Sequence, residues 1–155
     1  MPLEERITRI EDELAIGQLR ARYCHLLNDM QWPEFVDLFS PDGEFEGLSN
    51  VQGHAELMRF FSQDVPRIAE RFWHFCTNGT VDINGHTATG RISMEYISIT
   101  HGVSYMSAGH YDDVMVKEGG RWRFKSRKIT FYFYSPMSEG FTGAAPGSVT
   151  ASEAK

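Results

Sequence analysis

The second half of the chain is written as four long runs in which apolar and polar residues alternate, and only two or three residues part each run from the next. The runs are "FWHFCTNGTVDI", "TATGRISMEYISIT", "VSYMSAGHYDDVMVKE" and "RWRFKSRKITFYFYS". Alternation is the signature of strands with one buried face. Links this short join only antiparallel neighbours, because a parallel crossover needs a dozen residues or more. The linking residues agree: Asn84-Gly85-His86, His101-Gly102 and Gly119-Gly120 all tolerate the positive φ of tight hairpin turns. An antiparallel meander from Phe72 onward is therefore predicted, and it leaves the first 70 residues to cover one of its faces.

Those residues read as helices. Leu3, Ile7, Ile10 and Leu14, and then Leu19, Tyr23 and Leu26, recur every three or four positions, which predicts one long helix over about 3–27 with a single apolar face. A break at "NDMQ" is followed by Pro33 in a first helical turn, a short helix through Phe39 and a Ser-Pro-Asp-Gly turn. "EFEGL" is a short strand, and "GHAELMRFFSQDVPRIAER" gives a helix ending near Val65, before Pro66, and a second short one. Helices first and a meander after argue for an α+β fold with the helices on one face of a curved, mainly antiparallel sheet. At 155 residues the chain suits one domain, placed over residues 1–138, with the small, polar stretch 139–155 expected to be flexible.

Charge narrows the partners. The net charge of −6 opposes general binding to nucleic acid or anionic lipid, and no run of about 18 apolar residues offers a membrane span. "RWRFKSRK" mixes bases with aromatics, yet Arg121, Arg123, Lys125 and Arg127 alternate with Trp122 and Phe124, as on a half-buried strand. Cys24 and Cys76 are the only cysteines, too few for a disulfide framework, and no signal-peptide pattern opens the sequence. A cytoplasmic setting is expected. The six histidines form no HExxH or close pair, and neither a P-loop, a GxSxG nor a Rossmann glycine pattern is present. No metal, no cofactor and no covalent nucleophile are expected.

One histidine stands out. His74 lies inside the aromatic stretch "RFWHFCTN", so it is either a satisfied core group or a base in an apolar pocket. The blocks "AIGQLRARYCHLLNDMQW", "LFSPDGEFEG", "HFCTNGTVDINGHTATG", "AGHYDDVMVKEGGRWRF" and "SRKI" together resemble the SnoaL-like branch of the nuclear-transport-factor-like superfamily, over about residues 5–135. The resemblance implies a cone-shaped α+β barrel enclosing a pocket. It is to a branch that includes polyketide cyclases, scytalone dehydratase, bile-acid dehydratase and hexachlorocyclohexane dehydrochlorinase. It implies that His74 is a general base, that Tyr23 on the first helix serves as its companion, and that an aspartate five residues beyond the tyrosine pairs with the histidine. Asn28 occupies that last position, with Asp29 one residue off register. An amide oxygen can fix the histidine tautomer but cannot neutralise an imidazolium; helix termination is the other reading of both residues.

Trp32, Phe45, Trp73, Phe75, Tyr96 and Tyr111 are candidates to line an apolar cavity or to be plain core. His110 and Arg127 fall on adjacent strands, within reach of substrate oxygens, although Arg127 equally suits the surface. Three functions stay open: a cofactor-independent lyase or isomerase for a hydrophobic cyclic or polyketide-like molecule, a non-catalytic small-molecule-binding cone, and a structural subunit resembling the dioxygenase small subunit. The resemblance and the aromatic segment "ITFYFYSPM" point to a homodimer or homotrimer.

Overall fold

The tight turns at Gly85, Gly102 and Gly119-Gly120 all carry positive φ, and they fold the second half of the chain as the alternation predicts. The computed structural model describes residues 1–141. Strands β3 (Arg71–Asn84), β4 (Thr87–Thr100), β5 (Val103–Glu118) and β6 (Arg121–Pro136) form an antiparallel meander. Two short strands extend it: β1 (Phe39–Glu46) runs parallel to β6, and β2 (Val51–Gln52) pairs with β1. The sheet order is β2-β1-β6-β5-β4-β3. Residues 142–155, most of the stretch expected to be flexible, lie outside the described residues.

Helix α1 (Leu3–Asn28) packs on β3 at one end of the sheet. Only its second half carries core residues, with Ile16, Leu19, Tyr23 and Leu27 buried, whereas Leu3, Ile7, Ile10 and Leu14 are exposed. The expected apolar stripe exists, but among the described residues its first half is exposed. Asp12 ties that half down, accepting from Lys117 Nζ and Trp122 Nε1 at 2.7 Å each.

Helix α2 (Trp32–Val36) is shorter than expected, because Phe39 already belongs to β1. The Ser-Pro-Asp-Gly turn is an irregularity within that strand, where the register to β6 shifts between Phe39 and Glu44. Past α3 (His54–Arg59) the helix does not stop before Pro66. It widens into a π-helical turn over Phe60–Asp64 and resumes as α4 (Val65–Ile68), with Pro66 in the first turn of the resumed segment. Among the described residues no helix is long and apolar enough to cross a membrane.

Bulges set which residues face inward. On β6, Met115 pairs with Phe124 and Val114 with Ser126, so Lys125 is an extra residue. Tyr132 is another, since Gly109 pairs with Phe131 and Ala108 with Phe133. Each extra residue resets the two-residue period of its strand. Phe124, Arg127 and Ile129 are consequently all buried, although simple alternation would turn 127 outward.

Candidate functional site

His74 and Asn28 meet where the last turn of α1 crosses β3. Asn28 Oδ1 accepts from the backbone N–H of His74 at 2.8 Å, and Asn28 Nδ2 donates to the carbonyl of the same residue at 3.4 Å. The first bond fixes the amide orientation, because a backbone N–H only donates. The imidazole Nδ1 lies 3.0 Å from that same oxygen. It must therefore carry the proton, leaving the lone pair on Nε2. The ring is held by Tyr96 and Phe72, at centroid distances of 4.8 and 5.7 Å. Burial, with Arg127 adding positive charge nearby, pushes the His74 pKa down to about 3. It is a neutral imidazole at any ordinary pH.

The ring borders an apolar cavity of about 60 Å³. Tyr23, Tyr96, Tyr111 and Tyr134 contribute to the wall, together with Phe45 from β1 and Phe61, Val65 and Ile68 from the π-turn and α4. Burial raises the pKa values of Tyr23, Tyr96 and Tyr111, so these phenols keep their protons and remain donors.

Behind Tyr23 and Tyr111 lies a fully buried charge network. The Arg127 guanidinium carbon is 3.9 Å from the Tyr111 ring centroid, 4.1 Å from Tyr23 and 4.4 Å from Phe124, distances at which a cation is attracted by the ring faces. Asp113 Oδ1 is 3.1 Å from Arg127 Nε, and Asp113 Oδ2 accepts from Arg20 Nε at 2.9 Å. Arg20 also donates to the Thr80 carbonyl through both terminal nitrogens. One aspartate thus stands between two arginines, and among the described residues the Arg127 Nη atoms have no hydrogen-bond partner.

The structure brings His74, Tyr23, Phe45, Tyr96 and Tyr111 to one cavity, with Asn28 bonded to the histidine from its edge. Arg127 is buried rather than superficial, one layer behind the wall. The remaining candidates lie elsewhere. Asp29 caps α1 and is exposed, about 100° round the helix from Asn28. Trp32 packs edge-on against Phe35 outside the cavity lining. Trp73 and Phe75 flank His74 in β3 and so point to the opposite face, 38% and 50% exposed. His110 likewise faces away from Tyr111, its Nδ1 2.7 Å from the Tyr132 hydroxyl and its Nε2 3.2 Å from Asp112. Sequence reasoning missed Phe61, Tyr134, Arg20 and Asp113. Only Asp113 had a usable signal, as the acid two residues beyond Tyr111 on the same strand face.

Solved structures share this architecture. An aspartate-to-asparagine variant of Rv3472, a protein of unknown function from Mycobacterium tuberculosis, is 27% identical, with 84% of this chain and 76% of that one covered and a TM-score of 0.72. A candidate scytalone dehydratase from Novosphingobium aromaticivorans is 19% identical over 94% and 99% of the two chains, with a TM-score of 0.78. Hexachlorocyclohexane dehydrochlorinase LinA-type3 from Novosphingobium barchaimii is 16% identical over 90% and 97%, with a TM-score of 0.79. No curated protein matches closely enough to carry an argument. The profile of the SnoaL-like domain matches residues 8–128, a span that runs from α1, which supplies Asn28, through β3, which supplies His74, to the buried arginine of β6, and the chain belongs to that family.

Proposed function

We propose that this protein is a cofactor-independent lyase or isomerase, dehydratase- or cyclase-like, that acts on a hydrophobic cyclic or polyketide-like small molecule with His74 as its base. One observation carries the reading: Asn28 fixes the tautomer, so the Nε2 lone pair is the free edge of a neutral imidazole bordering an apolar cavity. Proton removal beside a carbonyl needs such a base. As the proton moves from substrate carbon to Nε2, negative charge passes to the substrate oxygen, where protonated tyrosines donate and Arg127 supplies positive charge from behind. Loss of a β-hydroxyl, reprotonated by the imidazolium, would complete a dehydration. Reprotonation at another carbon would complete an isomerisation. The names of two structural neighbours, a dehydratase and a dehydrochlorinase, support elimination as the reaction class.

Substrate entry requires the cavity to enlarge. About 60 Å³ is far below the ~300–1,000 Å³ of ordinary small-molecule sites. The π-turn and α4, which supply Phe61, Val65 and Ile68, form the wall that packs outside the sheet. We further place the protein in the cytoplasm as a homodimer or homotrimer with no nucleic-acid or membrane partner.

A second reading, a non-catalytic binding cone or structural subunit, is favoured by one feature: with an amide in place of a carboxylate, nothing offsets the low basicity of His74. Deuterium exchange into cyclic ketones and β-hydroxy ketones separates the two. Catalysis predicts exchange by the wild type, reduced about 10²- to 10⁴-fold in a His74→Ala variant that circular dichroism shows to be folded. Absence of exchange in the wild type, or equal rates in the variant, favours binding alone.

A further inference from the structure

Cys24 and Cys76 are 52 residues apart in sequence, yet their Sγ atoms lie 3.3 Å from one another. Their placement follows from the same crossing that joins Asn28 to His74. Four residues along α1 and two residues back along β3 keep the same faces, so the Cys24–Cys76 pair is the neighbouring rung to Asn28–His74 between helix and strand. A disulfide has S–S near ~2.05 Å, so closure needs the sulfurs to approach by about 1.2 Å (3.3 less 2.05). Neither chain segment has to refold.

The pair is also reachable. A groove of about 660 Å³ between α1 and β3 is lined by Arg20, Cys24, Asn28, Cys76 and Asn78, among others, and Cys76 is only partly buried. The two thiols are not equivalent. The hydrogen bond from Cys24 holds the Cys76 thiol below its ordinary pKa, with Arg127 and Arg20 adding positive charge. Its own bond to Cys76, and burial, push the Cys24 thiol up. Nucleophilicity in exchange belongs to the thiolate, which makes Cys76 the attacking sulfur and Cys24 the resolving one.

We propose that Cys24 and Cys76 form a reversible intramolecular dithiol–disulfide couple, a modification site that, when oxidised by a low-molecular-weight disulfide, pins α1 to β3 beside the Asn28–His74 pair. Cys76 attacks one sulfur of the small disulfide and expels the first thiol, giving a mixed disulfide. Cys24 then loses its proton, attacks the Cys76 sulfur and expels the second thiol. The protein gains one S–S bond and loses two hydrogens, while one small disulfide becomes two thiols. The couple does not depend on the proposed lyase activity, and its test does not read turnover.

The full chain is equilibrated in glutathione buffers of rising oxidised fraction, acid-quenched, denatured and alkylated with N-ethylmaleimide. As these are the only cysteines, the expected result is a fall from two alkylated thiols to none, with the cross-linked peptide containing both residues found by mass spectrometry. Oxidation should raise the melting temperature by about 5–10 °C, reversibly with dithiothreitol, and shift the His74 imidazole resonances. Cys24→Ser should stop at the glutathione adduct on Cys76, while Cys76→Ser should react far more slowly. Two alkylatable thiols persisting in oxidised glutathione, a stable glutathione adduct on the wild type, or a bond between chains on a non-reducing gel would each overturn the proposal. Equal reactivity of the two serine variants would overturn the assigned order of attack.

Discussion

Asn28 differs from an aspartate at the same place by one donor group and one negative charge, and that group faces the His74 carbonyl. The amide engages both the N–H and the C=O of His74, much as a neighbouring strand would, while its oxygen also holds Nδ1. A carboxylate would keep the two acceptor roles, set its second oxygen against a carbonyl, and place a negative charge beside the imidazole. Asn28→Asp is therefore expected to raise the His74 pKa from about 3 by about 1–3 units, read by NMR titration, and to accelerate proton exchange from ketones if the base reading holds. An unmoved titration would show that the pairing is absent in solution. His74, Tyr23 and Asn28 were legible in the sequence through the motif around them, but two of the aromatic and histidine assignments were decidable on parity alone. Trp73 adjoins His74, and His110 adjoins Tyr111, and adjacent strand residues do not share a face. Apolar residues on both parities of "RFWHF" masked that constraint.

Elements and their turns were legible because alternation and glycine placement act locally. The bulges were not, since an extra residue at Lys125 or Tyr132 is set by the partner strand and leaves no local mark. The burial of Arg127 depends on one of them, and it makes the "RWRFKSRK" segment supply a core charge as well as a surface face. The first half of α1 is the other element-scale surprise. Its stripe of Leu3, Ile7, Ile10 and Leu14 is exposed, as are Trp73 and Phe75 on the outward face of β3, although such residues contribute most when buried. If the chain assembles with itself, these two surfaces offer apolar area to be covered, as do Tyr132 and Met137 at the end of β6. Sedimentation at micromolar concentration is expected to give a dimer or trimer. Trp73→Glu with Phe75→Glu, or Ile7→Glu with Ile10→Glu, is expected to yield monomer with at least one of the pairs. A wild-type monomer would remove the assembly from the proposal.

At the scale of the whole molecule, the sheet and helices bury a neutral histidine beside a cation, and this ties the site to acid stability. In the folded protein His74 takes up a proton only near pH 3, whereas in an unfolded chain it does so near its ordinary value of about 6.5. Between those limits unfolding is accompanied by proton uptake. Stability therefore rises with pH through that window and has nothing further to gain from this group above it, at a slope of up to about 1.4 kcal/mol per pH unit. Carboxylates held below their usual range add a later loss. Arg121 does this for Asp37 and Arg91 for Asp112, while at Asp12 burial is outweighed by Lys117 and Trp122. Their stabilisation is present above the unfolded carboxylate pKa and disappears as pH falls through the folded one. The two stages separate on substitution: His74→Gln keeps the backbone bond to Asn28 and removes the titrating ring. Urea midpoints measured from pH 8 to pH 4 should fall below about pH 6.5 in the wild type and stay flatter in the variant, the difference between the two curves growing toward acid. Parallel curves would mean that His74 is solvated in the folded state, and the cavity assigned to it would then not be the apolar one on which the proposed chemistry relies.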